Sequence, residues 1–151
     1  MKVSKTPLPR ASHLWSMVKE GDFMDGYAVT SDLTPEAAAE VGLSLPRWAK
    51  ALLGLRNLLV RPFGLKTEVR SDQNDPIFPI TYESTEEIIL GTDDKHLNFR
   101  IALRQEGGVI HMATWVHRHN IFGDFYLALV MPFHILIVRN AMRRIGKHSQ
   151  A

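Results

Sequence analysis

From residue 80 onward the apolar residues of this chain recur at every second position, and from residue 125 they run almost unbroken. Between residues 35 and 60 their spacing is helical instead. Asp22 to Thr30 (DFMDGYAVT) is short and β-prone, and Thr34-Pro35-Glu36 after it is a cap-then-proline helix start. A first strand therefore feeds a short helix over 35–41, ended by Gly42. Pro46 starts a second helix reaching about Val60, with Trp48, Leu52, Leu55 and Leu59 on one stripe and Arg47, Lys50, Asn57 and Arg61 opposite. Arg56 lies on the flank of the apolar stripe. Residues 71–79 (SDQNDPIFP) have loop composition.

Ile80 to Glu83, Glu86 to Leu90, Leu97 to Leu103 and Val109 to His119 then read as four strands of an antiparallel meander. Leu97, Phe99, Ile101 and Leu103 share one face of their strand, while His96, Asn98, Arg100, Ala102 and Arg104 share the other. Asn120 to Asp124 turns the chain into a long terminal helix that Gly146 stops. On its wheel Leu127, Val130, Ile137, Val138, Ala141 and Ile145 cluster around His134, and Pro132 lies on the other side. Phe125, Leu129 and Leu136 also point outward, which calls for a cover: the N-terminal arm or a second subunit. The order of elements predicts an α+β helix-grip fold, a curved antiparallel sheet wrapped on a long C-terminal helix with two short helices after the first strand. Its expected divisions are an arm over 1–21, one domain over 22–146 and a disordered tail over 147–151.

Composition narrows the chemistry. The chain has no cysteine, which removes thiol nucleophiles, redox pairs and thiolate metal sites and permits a cytoplasmic location. Pro7, Pro9 and Arg10 interrupt the N-terminus before any signal-like apolar core. The run Phe125 to Val138 is broken only by His134 and reaches about 21 Å as a helix, short of the roughly 20 residues of a bilayer span, so a buried helix and no transmembrane segment are expected. The net charge of +2 hides an uneven distribution. Residues 21–138 carry ten bases and fifteen acids, whereas residues 139–151 carry four bases and no acid. No basic stripe interleaved with aromatics supports a nucleic-acid partner.

The segments Leu55-Arg56-Asn57, Gly64-Leu65-Lys66, Leu90-Gly91-Thr92-Asp93-Asp94-Lys95-His96-Leu97-Asn98-Phe99-Arg100, His119-Asn120-Ile121-Phe122-Gly123 and Pro132-Phe133-His134 resemble a bacterial family. It is catalogued as domain of unknown function 2867, and the likeness spans about residues 22–145. Asn57 and Asn98 stand where Asp would be met as often. The wider resemblance is to the helix-grip (START-like, SRPBCC) superfamily of lipid-transfer domains, birch-pollen-type allergens and polyketide cyclases. It implies a cytoplasmic bacterial protein without an established activity, on a fold that usually encloses an apolar ligand.

His134 is the most informative residue, because an imidazole on an apolar helix face must find a polar partner or lose its charge. It is either a ligand-contacting group or a core histidine tied to another side chain. His96, Asn98 and Arg100 lie roughly 7 Å apart on one strand face and could bind an anionic group, or form a polar exterior. His117 and His119 make only a metal half-site, so no metal and no cofactor is expected. No nucleophile elbow, dinucleotide loop or phosphate loop occurs. The reading is a binding module for a small hydrophobic or amphipathic molecule held between sheet and terminal helix, with His134, Arg56, Tyr126, His96, Arg100 and Asn120 as candidate contacts. The alternatives are an acid–base enzyme of polyketide-cyclase type, using His134 with Tyr126 or Arg56, and an oligomerising domain that forms a homodimer.

Overall fold

The computed structural model describes residues 3–43, 47–48, 51, 79–93 and 97–147 of the chain. Most of the second predicted helix, with Arg56, lies outside the described residues, as do His96 and the tail beyond Lys147.

Strands β1 (Ser4–Lys5), β2 (Phe23–Thr30), β3 (Ile80–Glu83), β4 (Glu87–Asp93), β5 (Leu97–Glu106) and β6 (Val109–Arg118) form one antiparallel sheet in the order β1-β2-β6-β5-β4-β3. Helix α1 (Pro35–Leu43) follows β2, and α2 (Ile121–Lys147) ends the described chain. Thr34 Oγ1 accepts from Ala37 N at 3.1 Å and caps α1, as the Thr-Pro-Glu sequence predicts. Asn120 Oδ1 accepts from Gly123 N at 3.2 Å and caps α2. The predicted strands stand within three residues of their bounds, and the α+β arrangement is helix-grip-like. Neither Gly42 nor Gly146 stops a helix: both lie inside the last turn, where Gly42 meets Ile145 and a Cβ would sit 3.2 Å from its Cδ1.

Register assigns the faces. Phe23↔Val116, Asp25↔Thr114, Tyr27↔Met112 and Val29↔Ile110 pair on the face that meets α2. There Tyr27, Val29, Leu90, Leu103, Ile110 and Met112 join Val138, Ala141, Met142 and Ile145 in a closed core. Arg144 adds a polar tie, donating to Val41 O at 2.6 Å and Gly42 O at 3.2 Å. It thus caps the carbonyl end of α1 besides complementing the dipole of its own helix.

The opposite face of the sheet is covered too, and its cover is residues 3–22. β1 pairs with β2 through Ser4↔Ala28 and Lys5↔Tyr27, and the arm passes so close that a Cβ on Gly26 would lie 2.3 Å from Thr6 O. Leu8 and Leu14 then pack on Ile89, Ala102, Ala113 and Trp115. The arm therefore does not cover the outward side of the terminal helix; its apolar residues match the register-paired positions Ile89 of β4, Ala102 of β5 and Ala113 of β6, with Trp115 beside them. Trp115 is accordingly buried beneath the arm, on the face away from α2.

The apolar run of α2 is not the buried helix its composition suggests. Ile121, Phe125, Ile135 and Leu136 are exposed, and of the residues 125–138 only Val138 is buried among those described. The helix has 27 residues, not the 14 of its apolar run, and Gly123–Lys147 is long and apolar enough to cross a membrane by length and composition. Its C-terminal half packs on the sheet, as the core of a soluble domain does.

Candidate functional site

Where the N-terminal half of α2 leaves the closed core, two polar residues interrupt the apolar face of the sheet. Asp25 replaces an apolar residue in the series Phe23, Tyr27, Val29, and Thr114 does so between Met112 and Val116. β2 and β6 place them directly opposite each other. Asp25 Oδ1 accepts from Thr114 N at 3.0 Å, and Asp25 Oδ2 meets His134 Nε2 at 2.7 Å. An ionised carboxylate can only accept, so Nε2 carries the proton. Nδ1 makes no hydrogen bond to a described residue and is left for another partner. The His134 side chain is 20% exposed and that of Asp25 10%. Phe23 meets the imidazole edge-on, with centroids 6.4 Å apart. The Thr114 hydroxyl is buried and has no hydrogen-bond partner among the described residues, an uncompensated loss of hydration. A hydrogen-bonding imidazole and an unsatisfied hydroxyl thus flank one carboxylate on an otherwise apolar sheet face.

A second acid–imidazole pair lies on the arm side. Asp22 Oδ1 meets His117 Nδ1 at 2.6 Å, while Oδ2 accepts from Trp115 Nε1 and Lys19 N, each at 2.8 Å. Burial pushes this carboxyl up, but the hydrogen bonds from His117, Lys19 N and Trp115 outweigh it and hold it below the ordinary carboxylate value. The pair borders a pocket of about 380 Å³ lined by Glu20, Arg118, His119 and Asn120. A further pocket of about 460 Å³ opens between the arm and β2, lined by Lys5, Pro7, Trp15 and Met24. Among the described residues no group of three or more ionisable or imidazole side chains could hold a metal ion.

The sequence-derived candidates separate. His134 lies between α2 and the sheet, on Asp25; Asn120 caps α2 at its N-terminus, beside His117. Arg100 is buried on the arm face, where it donates to Asp93 at 3.0 Å and lies along Gly91, whose missing side chain makes room for it. It faces away from the helix, because its strand parity is that of Ala102 and Trp115. Tyr126 belongs to α2, about two turns before His134, and its side chain lies outside the described residues, as do Arg56 and His96. Asp25, Thr114 and Asp22 are the polar residues that sequence reading passed over.

The arm face sets a pH dependence. With its folded value below 3.8, Asp22 contributes its full stabilisation above that pH and loses it as the pH falls through the folded value. Burial holds the His111 ring below its ordinary 6.5, so the unfolded chain binds that proton first and stability falls as the pH drops through 6.5. We expect melting temperature to decline from neutral pH to about pH 5.5, and His111→Gln to flatten that part of the curve. A wild-type profile flat over this interval contradicts the assignment.

The DUF2867 family, described as protein of unknown function, has a model that matches residues 17–141. No curated protein and no solved structure matches the chain.

Proposed function

The chain belongs to the DUF2867 family, and from that premise we propose that it binds a small amphipathic molecule at the mouth between the sheet and the N-terminal half of α2. The observation that carries this reading is the Asp25–His134 pair at 2.7 Å, beside the unsatisfied Thr114 hydroxyl on an otherwise apolar face. The apolar part of the ligand rests on Phe23 and the helix, and its polar end meets His134 Nδ1 and Thr114 Oγ1. The Asp25 carboxylate repels an anionic head group and the unprotonated Nδ1 accepts, so the polar end is a neutral hydroxyl that donates to it.

The closed core over the C-terminal half of α2 restricts the site to the N-terminal half. It is a mouth with a polar lip, and binding relies on those polar partners as much as on enclosure.

Native mass spectrometry of the protein purified from the organism that encodes it tests the reading. The expected spectrum carries a small neutral amphipath in substoichiometric or full amount, and His134→Ala with Thr114→Val lowers its occupancy at least about tenfold, the loss of two ligand hydrogen bonds. A wild-type spectrum without adduct, together with no displacement of the neutral dye Nile red by octanol, contradicts it.

One observation favours a second reading. A carboxylate that fixes an imidazole tautomer leaves the other nitrogen as a proton acceptor, the arrangement of a general base. On that reading the bound molecule is converted, and its mass or isomeric form changes on incubation with wild type but not with His134→Ala.

A further inference from the structure

The outward side of α2 has its own pattern. Ile121, Phe125, Ala128, Pro132, Ile135 and Arg139 follow one another at alternating steps of four and three, the spacing that keeps residues on one helix face. All six are exposed, Ile121 at 75% and, beside the stripe, Leu136 at 57%. Over the 19 residues from Ile121 to Arg139 the stripe is about 27 Å long. Its apolar character stops at Leu136; Arg139 follows with its guanidinium turned over the Tyr27 ring, 5.6 Å from the centroid, and the same side continues as Arg143 and Lys147, both exposed. The single acid of the helix, Asp124, lies at the other end, held by Arg118 Nε at 3.3 Å.

We propose that this face docks on an anionic lipid surface, with the apolar stripe entering the headgroup–acyl boundary and Arg143 and Lys147 meeting the lipid phosphates. Two features select a bilayer over a second copy of the chain. The stripe carries Pro132 at its centre, where the regular turn that a seam with its own image needs is interrupted. The cations also lie in line with the apolar residues and on the same side, the charge arrangement of helices that lie in a membrane interface. The helix does not leave the domain to do this: Val138, Ala141, Met142 and Ile145 remain in the core on the opposite side. This inference is independent of the ligand site, which lies on the inward side of the same half of the helix.

Co-sedimentation with vesicles tests it, using phosphatidylcholine alone and phosphatidylcholine with about one third phosphatidylglycerol. Wild type binds the anionic vesicles at least about tenfold more tightly than the neutral ones, and raising the salt removes most of that preference. Ile121→Glu with Leu136→Glu abolishes binding to both, and Arg143→Glu with Lys147→Glu abolishes only the preference. These four positions are exposed, so circular dichroism and melting temperature are expected to stay at wild-type values. Wild type that remains in the supernatant with both vesicles overturns the proposal. So does sedimentation velocity showing a dimer that Ile121→Glu with Leu136→Glu dissociates while vesicle binding is absent, which gives the face to a second copy.

Discussion

Glu87→Ala is expected to destabilise the protein by about 3–5 kcal/mol, the range for removing one partner from a buried ionic network. Glu87 is 1% exposed and lies on the arm face of β4. Its carboxylate accepts from the Ser12 hydroxyl and from His13 N at 2.8 Å, with Arg104 Nη1 at 3.8 Å. Ser12 in turn caps the turn His13–Ser16, accepting from Leu14 N at 3.2 Å. Tyr82 stacks on the His13 ring with centroids 4.0 Å apart. One carboxylate therefore fixes the point at which the arm crosses the sheet, and its loss leaves Ser12, His13 N and Arg104 short of a partner together. The arm then separates from Ile89, Ala113 and Trp115, so tryptophan emission shifts to the red before the main urea transition. Glu87→Gln keeps the shape and one acceptor, and we expect about half the effect. A loss below about 1 kcal/mol for Glu87→Ala, the value of a single exposed pair, contradicts this account.

The second large effect is expected at Asp25. Asp25→Ala deprives Thr114 N and His134 Nε2 of their acceptor at once, at a cost of about 2–4 kcal/mol. Asp25→Asn keeps its one oxygen for Thr114 N and presents its amide NH2 to the imidazole, which accepts in the other tautomer, so less than about half of that is lost. A double-mutant cycle with His134→Ala isolates the contact, and a coupling of about 1 kcal/mol or more is expected in urea denaturation. Additive single effects indicate that the 2.7 Å contact contributes nothing of its own. Asp25→Ala also releases the imidazole from its fixed tautomer, so binding of a neutral amphipath falls even in conditions where the variant is fully folded.

The meander and the terminal helix were legible in the sequence because their signals are periodic. The alternation across Leu97–Leu103 and Val109–His119 places every residue on its observed face. β1 was not, since Ser4 and Lys5 form a two-residue strand whose pairing depends on a glycine twenty positions later making room for the chain. His134 was legible as a polar residue on an apolar face, and the same test applied to β2 and β6 would have found Asp25 and Thr114. What no single-strand pattern contains is their pairing across the sheet, which is a property of register. Arg100 illustrates the converse: its strand face was correctly separated from the apolar one, but the cover on that face, the arm, is set by contacts between residues more than seventy positions apart. The exposure of α2 was likewise hidden, because a uniformly apolar helix has the same composition whether its outer side is covered or faces solvent.

The central claim is that the Asp25–His134–Thr114 mouth, rather than either pocket bordering the arm, is where a small molecule binds. The most direct measurement follows backbone amide and imidazole nitrogen resonances of the full chain during titration with octanol. The account predicts saturable shifts at the His134 ring, the Thr114 amide and Phe23, with the His134 Nδ1 resonance moving most. Shifts confined to Lys5–Leu8, Trp15 and Met24, or to His117 and His119, with the His134 ring unmoved, would contradict it.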